Sequence, residues 1–183
     1  MFKKSLIILF LWLFLVSCWD DEVSNTWLSE VTWNWYTINV PSSWEVIEDK
    51  WSILPKAKVW EIELAISSTN FISWFANNLL ILSDDLQKIT TSKEYSMLNN
   101  IWAETDYLEY TELSSNEIMF IDEEPWIIYT FEAKYNMDTP RLKFLQTSHI
   151  CNWTKAYFMT IALPTTVKDT SKYEYLLSTF MCK

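Results

Sequence analysis

The side chains with chemistry to offer are few. They are three cysteines (Cys18, Cys151 and Cys182), a single histidine, His149, and two short acidic runs, Asp84-Asp85 and Asp122-Glu123-Glu124. One histidine removes most designs that use imidazole as a general base. Thr147 and Ile150 around it suggest a strand, so His149 reads as a strand-surface residue. Calcium would need about six to eight oxygens from a shaped loop. Neither acidic run spaces its carboxylates that way, so both read as solvated turns and no metal is assigned. A serine nucleophile elbow and a phosphate-cradling loop are both missing, even if every tryptophan is read as glycine. A net charge of -10 and a pI near 4.5 argue against nucleic acid, whose phosphates call for a basic patch. No catalytic residue and no cofactor is expected.

Cys18 stands apart because of what precedes it. Met1-Phe2-Lys3-Lys4 is a short basic segment, Leu6 through Val16 is an unbroken apolar run, and Leu15-Val16-Ser17-Cys18 follows. Basic, apolar and small-residue segments in that order make a secretory signal peptide, with an apolar run too short to span a bilayer. The last four residues resemble a bacterial lipobox. That resemblance implies cleavage before Cys18, so that residues 1–17 are the signal peptide, and a thioether-linked diacylglycerol on the Cys18 sulfur. Two acyl chains give stable anchoring, at about 0.8 kcal/mol per buried CH₂. Losing Lys3 and Lys4 from the 14 basic residues leaves 12 against 24 acidic ones, a net charge of -12. Anionic headgroups would repel such a domain, which should stand off the membrane on its extracytoplasmic side. Residues 18–34, acidic and bearing Ser and Thr, read as the tether. With Cys18 lipidated, Cys151 and Cys182 remain, and an exported pair favours a disulfide. The last helix would have to run back towards the turn beside Cys151. The alternative is two separate buried thiols.

Composition carries one abnormality. Ordinary usage predicts roughly 13 glycines in a chain of this length, and there are none, whereas Trp occurs 12 times. Several tryptophans sit where glycine is favoured. Cys151-Asn152-Trp153-Thr154 lies between two strand-like runs, where Asn-Gly would make a type I′ hairpin turn. Pro125-Trp126 stands where Pro-Gly would make a type II turn. Trp51, Trp33 and Trp35 lie in similar surroundings. The pattern implies a gene that uses UGA for glycine, read with a table that gives Trp; Trp44 is the first candidate for a genuine tryptophan. The alternative is a chain that truly lacks glycine.

The elements that must position these residues follow from periodicity. Strands are expected at Tyr36–Val40, Trp44–Ile47, Glu61–Ile66 and Asn78–Leu82. Thr91-x-x-Glu94 is a capping box opening a helix whose apolar face is Tyr95, Leu98, Ile101, Trp102, Thr105 and Leu108. A glycine at residue 102 would end that helix near Asn100. A run at Glu117–Ile121 precedes three longer strands around Ile127–Tyr135, Leu142–Ile150 and Lys155–Leu163. A final amphipathic helix carries Tyr173, Leu176, Leu177 and Phe180, opened by Ser171-x-x-Glu174.

Short links make the sheet largely antiparallel, so the class is α+β: about six strands flanked by helices. Three stretches carry a family resemblance. They are Tyr36-Thr37-Ile38-Asn39-Val40-Pro41-Ser42-Ser43-Trp44-Glu45-Val46, then Phe75-Ala76-Asn77-Asn78-Leu79-Leu80-Ile81, and last Gln146 with Ala156-Tyr157-Phe158-Met159-Thr160 and Ser178-Thr179-Phe180. In these the chain resembles the Mog1/PsbP-like family. The resemblance implies an α/β/α sandwich over residues 35–183 and a binding or assembly role without catalysis. The functional expectation is a membrane-anchored lipoprotein that binds another envelope protein or a small ligand. The alternative is an envelope hydrolase or metal-dependent enzyme using scattered carboxylates.

Overall fold

The computed structural model describes residues 27–33, 35–48, 61–72 and 75–183. Cys18, the expected signal peptide over residues 1–17 and Trp51 lie outside the described residues.

Ten strands and two helices are described. They are β1 (Leu28–Thr32), β2 (Tyr36–Pro41), β3 (Trp44–Val46), β4 (Glu61–Ile72), β5 (Phe75–Asp85), α1 (Ser92–Asp106), β6 (Leu108–Met119), β7 (Pro125–Lys134), β8 (Arg141–Cys151), β9 (Lys155–Pro164), α2 (Ser171–Ser178) and β10 (Met181–Cys182). They form a seven-stranded sheet in the order β3-β4-β5-β9-β8-β7-β6 and a three-stranded sheet in the order β1-β2-β10. Every pairing is antiparallel. The single sheet of about six strands expected from the sequence is thus a larger sheet plus a small one. The antiparallel α+β class stands.

Part of the span 18–34, expected to be a tether, is strand. Leu28–Thr32 pairs with β2 along its whole length, from Leu28↔Pro41 to Thr32↔Thr37.

Both faces of the large sheet are covered. On one face Leu64, Ile66, Leu79, Ile81, Leu145, Met159 and Ile161 pack with Tyr36, Ile38 and Val40 of β2 and with Tyr173, Leu176, Leu177 and Phe180 at α2. On the other, Phe131, Ala133, Leu142, Phe144 and Ala162 pack with Ala103 of α1. Strand periodicity assigns the faces. Along β8, Leu145 and Cys151 point to the first face, and so His149 does as well.

Helix α1 carries the chain from β5 across β7 and β8 to the far edge of the sheet. Its capping box forms as expected: Thr91 Oγ1 accepts from Glu94 N at 3.1 Å, and Glu94 Oε2 accepts from Thr91 N at 3.1 Å. The helix runs to Asp106, the extent its periodicity over residues 91–107 implies rather than the end near Asn100 that a glycine at 102 would give. Its faces differ from expectation: the buried face is Ser92, Tyr95, Ser96, Asn99, Asn100 and Ala103, while Leu98, Ile101 and Trp102 stand exposed. The reason lies in β8. Pairing of β7 with β8 stops at Tyr129↔Gln146, which leaves amides beyond that point without a strand partner. The N–H groups of Ser148 and Ile150 donate instead to Ser96 Oγ and Ser92 Oγ, each at 2.9 Å. Unpaired buried amides are costly, so the helix turns its hydroxyls inward.

The expected capping box at Ser171 does not form. Thr170 is the N-cap of α2, without a side-chain cap bond, and Ser171 N–H donates to Asp169 Oδ1 at 3.0 Å.

Candidate functional site

Among the described residues, two places are candidates for a site. The first is the corner where the β6–β7 turn meets the end of β8. Contrary to the surface reading, His149 is only 2 % exposed, because both faces of its strand are covered. Its ring stands edge-on to Phe120, centroids 4.4 Å apart, with Phe180 at 5.4 Å on another side. Nε2 lies 2.9 Å from Asp122 Oδ2 and 3.3 Å from Glu124 Oε2. The run read as a solvated turn therefore splits: Asp122 and Glu124 turn to the imidazole, and Glu123 stays outside with a left-handed φ of 67°. The turn is tied by Glu123 N–H to Phe120 O and Phe120 N–H to Glu124 O, both 3.0 Å, while Ile121 N–H reaches Ser178 O at the end of α2. The other acidic run, read as a solvated turn, is instead the end of β5, paired with β9 at Asp84↔Ala156 and Asp85↔Lys155. Asp85 is exposed and 3.2 Å from Lys155 Nζ, but Asp84 Oδ2 accepts from Tyr95 OH at 2.8 Å.

Cys151 and Cys182 are joined in a disulfide, Cα atoms 5.6 Å apart. The route is not the one expected: α2 ends at Ser178, and the two-residue strand β10 brings Cys182 opposite Tyr36 of β2. Cys182 Sγ also lies 3.4 Å from His149 Nδ1. Both imidazole nitrogens are thus addressed, one by carboxylates and one by sulfur.

The second place is an open groove of about 640 Å³, within the range of ligand sites, lined by Trp27, Pro41, Ser42, Ser43, Trp44, Ser68, Asn70, Asn77, Lys172 and Tyr173. Its floor is set by the β2–β3 turn: Ser42 N–H donates to Trp27 O at 2.9 Å and Thr69 Oγ1 to Ser43 O at 3.1 Å. Trp44 and Tyr173 lie 6.5 Å apart by ring centroid, and Lys172 Nζ sits 4.9 Å from the Tyr173 ring centre. Asn77 Nδ2 donates to Tyr173 OH at 2.8 Å, and the buried Asn77 Oδ1 has no partner. Sequence reasoning placed Pro41, Ser42, Ser43, Trp44 and Asn77 in the family resemblance but did not see them as one surface. Lys172 and Tyr173 come from α2, far along the chain.

Burial, then nearby Glu63, pushes the Tyr157 phenol up to about 12, and burial raises Tyr36 and Tyr107 further.

The tryptophans divide. In the three-residue link between β8 and β9, Asn152 and Trp153 have φ of 52° and 66°, the left-handed region where glycine is at ease. Trp126 does not occupy the turn expected of it. It lies in β7, buried and stacked on Phe120 at 4.4 Å, and the turn is formed by the acidic run instead.

Neither a protein-family model nor a curated protein matches the sequence. Solved structures do. The chain is similar to the PsbP of the cyanobacterium Synechocystis (CyanoP), with TM-score 0.58 and 12% identity over 85% of this chain and 92% of that one. It is also similar to the Saccharomyces cerevisiae Ran-binding protein Mog1p, TM-score 0.51 and 8% identity over 84% and 94% of the two chains. A Pseudomonas aeruginosa protein of unknown function, described as a putative regulator, aligns with TM-score 0.50 and 10% identity over 81% and 89%. At these identities the likeness is one of fold: the chain has the PsbP/Mog1-like fold.

Proposed function

We propose that this protein is a lipid-anchored binding module of the cell envelope, held by acyl chains on Cys18, with the groove around Trp44 and Tyr173 as its recognition surface for another envelope component or a small ligand. The observation carrying the reading is that Pro41, Ser42, Ser43, Trp44 and Asn77, which come from separate strands and the turn between two of them, line one groove. The groove offers the half-buried Trp44, its ring tilted 36° to that of Tyr173, and the positive charge of Lys172. Those features suit a ligand with an apolar part and an anionic group. The fold is one that the yeast neighbour, a Ran-binding protein, shares. The anchor rests on the order of basic, apolar and Leu-Val-Ser-Cys segments in the leader. The glycine reading of the code rests on the missing glycines and on Trp153, a tryptophan in left-handed backbone.

The test is affinity recovery from intact envelopes with wild-type protein and a Lys172→Glu, Asn77→Ala variant. The same specific component should be recovered by the wild type and lost with the variant; equal recovery would refute the groove. A Cys18→Ala protein should leave the membrane fraction; if it stays, the anchor is wrong. A second reading, a metal-dependent hydrolase, has one observation in its favour, the convergence of Asp122 and Glu124 on His149. It predicts turnover of ester or phosphoester substrates that Asp122→Asn abolishes.

A further inference from the structure

The geometry points to a divalent-metal site at the corner of the β6–β7 turn, with His149 Nε2, Asp122 Oδ2 and Glu124 Oε2 as its three protein ligands, of a kind that Zn²⁺ accepts. The site is independent of the groove and holds whether or not the groove binds a partner.

Spacing comes first. Nitrogen and oxygen ligands sit about 2.0–2.2 Å from zinc, so neighbouring ligand atoms on one tetrahedral or octahedral ion stand about 2.8–3.6 Å apart. Here Nε2 is 2.9 Å from Asp122 Oδ2 and 3.3 Å from Glu124 Oε2, and the three ligand atoms all lie within 4.8 Å of one another.

Charge makes the same point. Nε2 can carry one proton, which satisfies one carboxylate; a second carboxylate on the same nitrogen is negative charge beyond what a hydrogen bond uses. Two carboxylates and a neutral imidazole are instead a common ligand set for a divalent cation.

The site is also built rather than fortuitous. The ring is held by Phe120 and Phe180. The turn alternates its side chains so that Asp122 and Glu124 face the ring, which it achieves by placing Glu123 in left-handed backbone, a conformation unfavourable for a residue with a Cβ. The ligand carboxylates keep 29 % and 32 % of their side-chain surface open, leaving an entry path and coordination positions for water.

The far side of the imidazole completes the arrangement. With a metal on Nε2 the ring proton resides on Nδ1, which is 3.4 Å from Cys182 Sγ. The disulfide sulfur then acts as the outer partner that fixes the ring, in the place where a carboxylate or carbonyl more often stands. While the bridge is intact neither sulfur is a thiolate, so the metal is bound through nitrogen and oxygen only.

The experiment is calorimetric titration of the full chain, stripped of metal and kept non-reducing, with ZnCl₂ and separately with MnCl₂. One Zn²⁺ should bind per chain. Asp122→Asn and Glu124→Gln should each weaken it roughly tenfold or more, while Glu123→Gln, on the neighbouring outward side chain, leaves it unchanged. Circular dichroism of the two carboxylate variants, whose changes are nearly isosteric, shows that they are folded. Co²⁺ in place of zinc should give visible d–d bands without sulfur-to-metal charge transfer. No saturable binding, equal binding by the carboxylate variants, or binding that appears only after reduction and with thiolate bands would overturn the proposal.

Discussion

Trp153→Gly should make this protein more stable, an unusual direction for removing an aromatic side chain. Trp153 holds φ at 66° and is 73 % exposed. A left-handed conformation costs a residue with a Cβ roughly 1–2 kcal/mol. Glycine avoids that cost but gives back about 0.5–1 kcal/mol because its unfolded chain is freer. Little burial is lost from so exposed a side chain, so the net gain is about 0.5–1 kcal/mol, or roughly 1–4 °C in Tm for a chain of this size. The same substitution at Trp126 should act in the opposite direction. Trp126 is buried and stacked on Phe120, and its removal opens a cavity costing about 3–5 kcal/mol. That loss is only partly offset by removal of an indole N–H that lacks a hydrogen-bond partner. Guanidinium unfolding of the three proteins, with the disulfide intact, provides the assay. A lowered midpoint for Trp153→Gly would refute the argument from backbone handedness, and a neutral Trp126→Gly would refute the packing assignment.

Denatured protein should show the thiols of Cys151 and Cys182 only after reduction. Opening their bridge, which links residues 31 apart, should cost about 3–4 kcal/mol by unfolding titration. Ser96→Ala leaves the buried Ser148 N–H without its acceptor and should cost about 1–3 kcal/mol, with faster exchange of that amide. Glu94 is held below the ordinary carboxylate range, first by the Thr91 backbone N–H and then by the Thr90 and Thr91 side chains. Its folded pKa is lowered, so the stability it contributes is present above its unfolded pKa and lost as pH falls through the folded value. Amide exchange in the first turn of α1 should therefore become less protected on acidification, and Glu94→Gln should remove that pH dependence.

How much of this was legible in the sequence can be judged from particular residues. Alternation located β2, β3, β7, β8 and β9, and the capping box at Thr91 located the start of α1, because each signal is local: a period of two, or a side chain reaching three residues along. Asn152-Trp153 announced its turn in the same way, since handedness at φ > 0 is a property of single residues.

Failures of the sequence reading share one cause. His149 looked exposed because alternation shows that a strand has two faces but not that both are covered. Leu98, Ile101 and Trp102 looked like the buried face of α1. Nothing local tells that β7 stops pairing at Tyr129 and leaves two amides of β8 for Ser92 and Ser96 to satisfy. Asp122-Glu123-Glu124 looked like a solvated run because its partner lies 27 residues away from Asp122.

The sequence alone determined the two helices, the strands β2 to β5 and β7 to β9, the class of fold and the acidic charge, but not β1, the length of β6 or β10; what it did determine depends on side chains within a few positions of one another. Tertiary structure decided which faces are dry, that β10 rather than a helix carries Cys182 to Cys151, and that one imidazole meets two carboxylates on one side and a sulfur on the other. Those meetings depend on strand order, and strand order is fixed by the summed burial of the whole chain rather than by any segment of it.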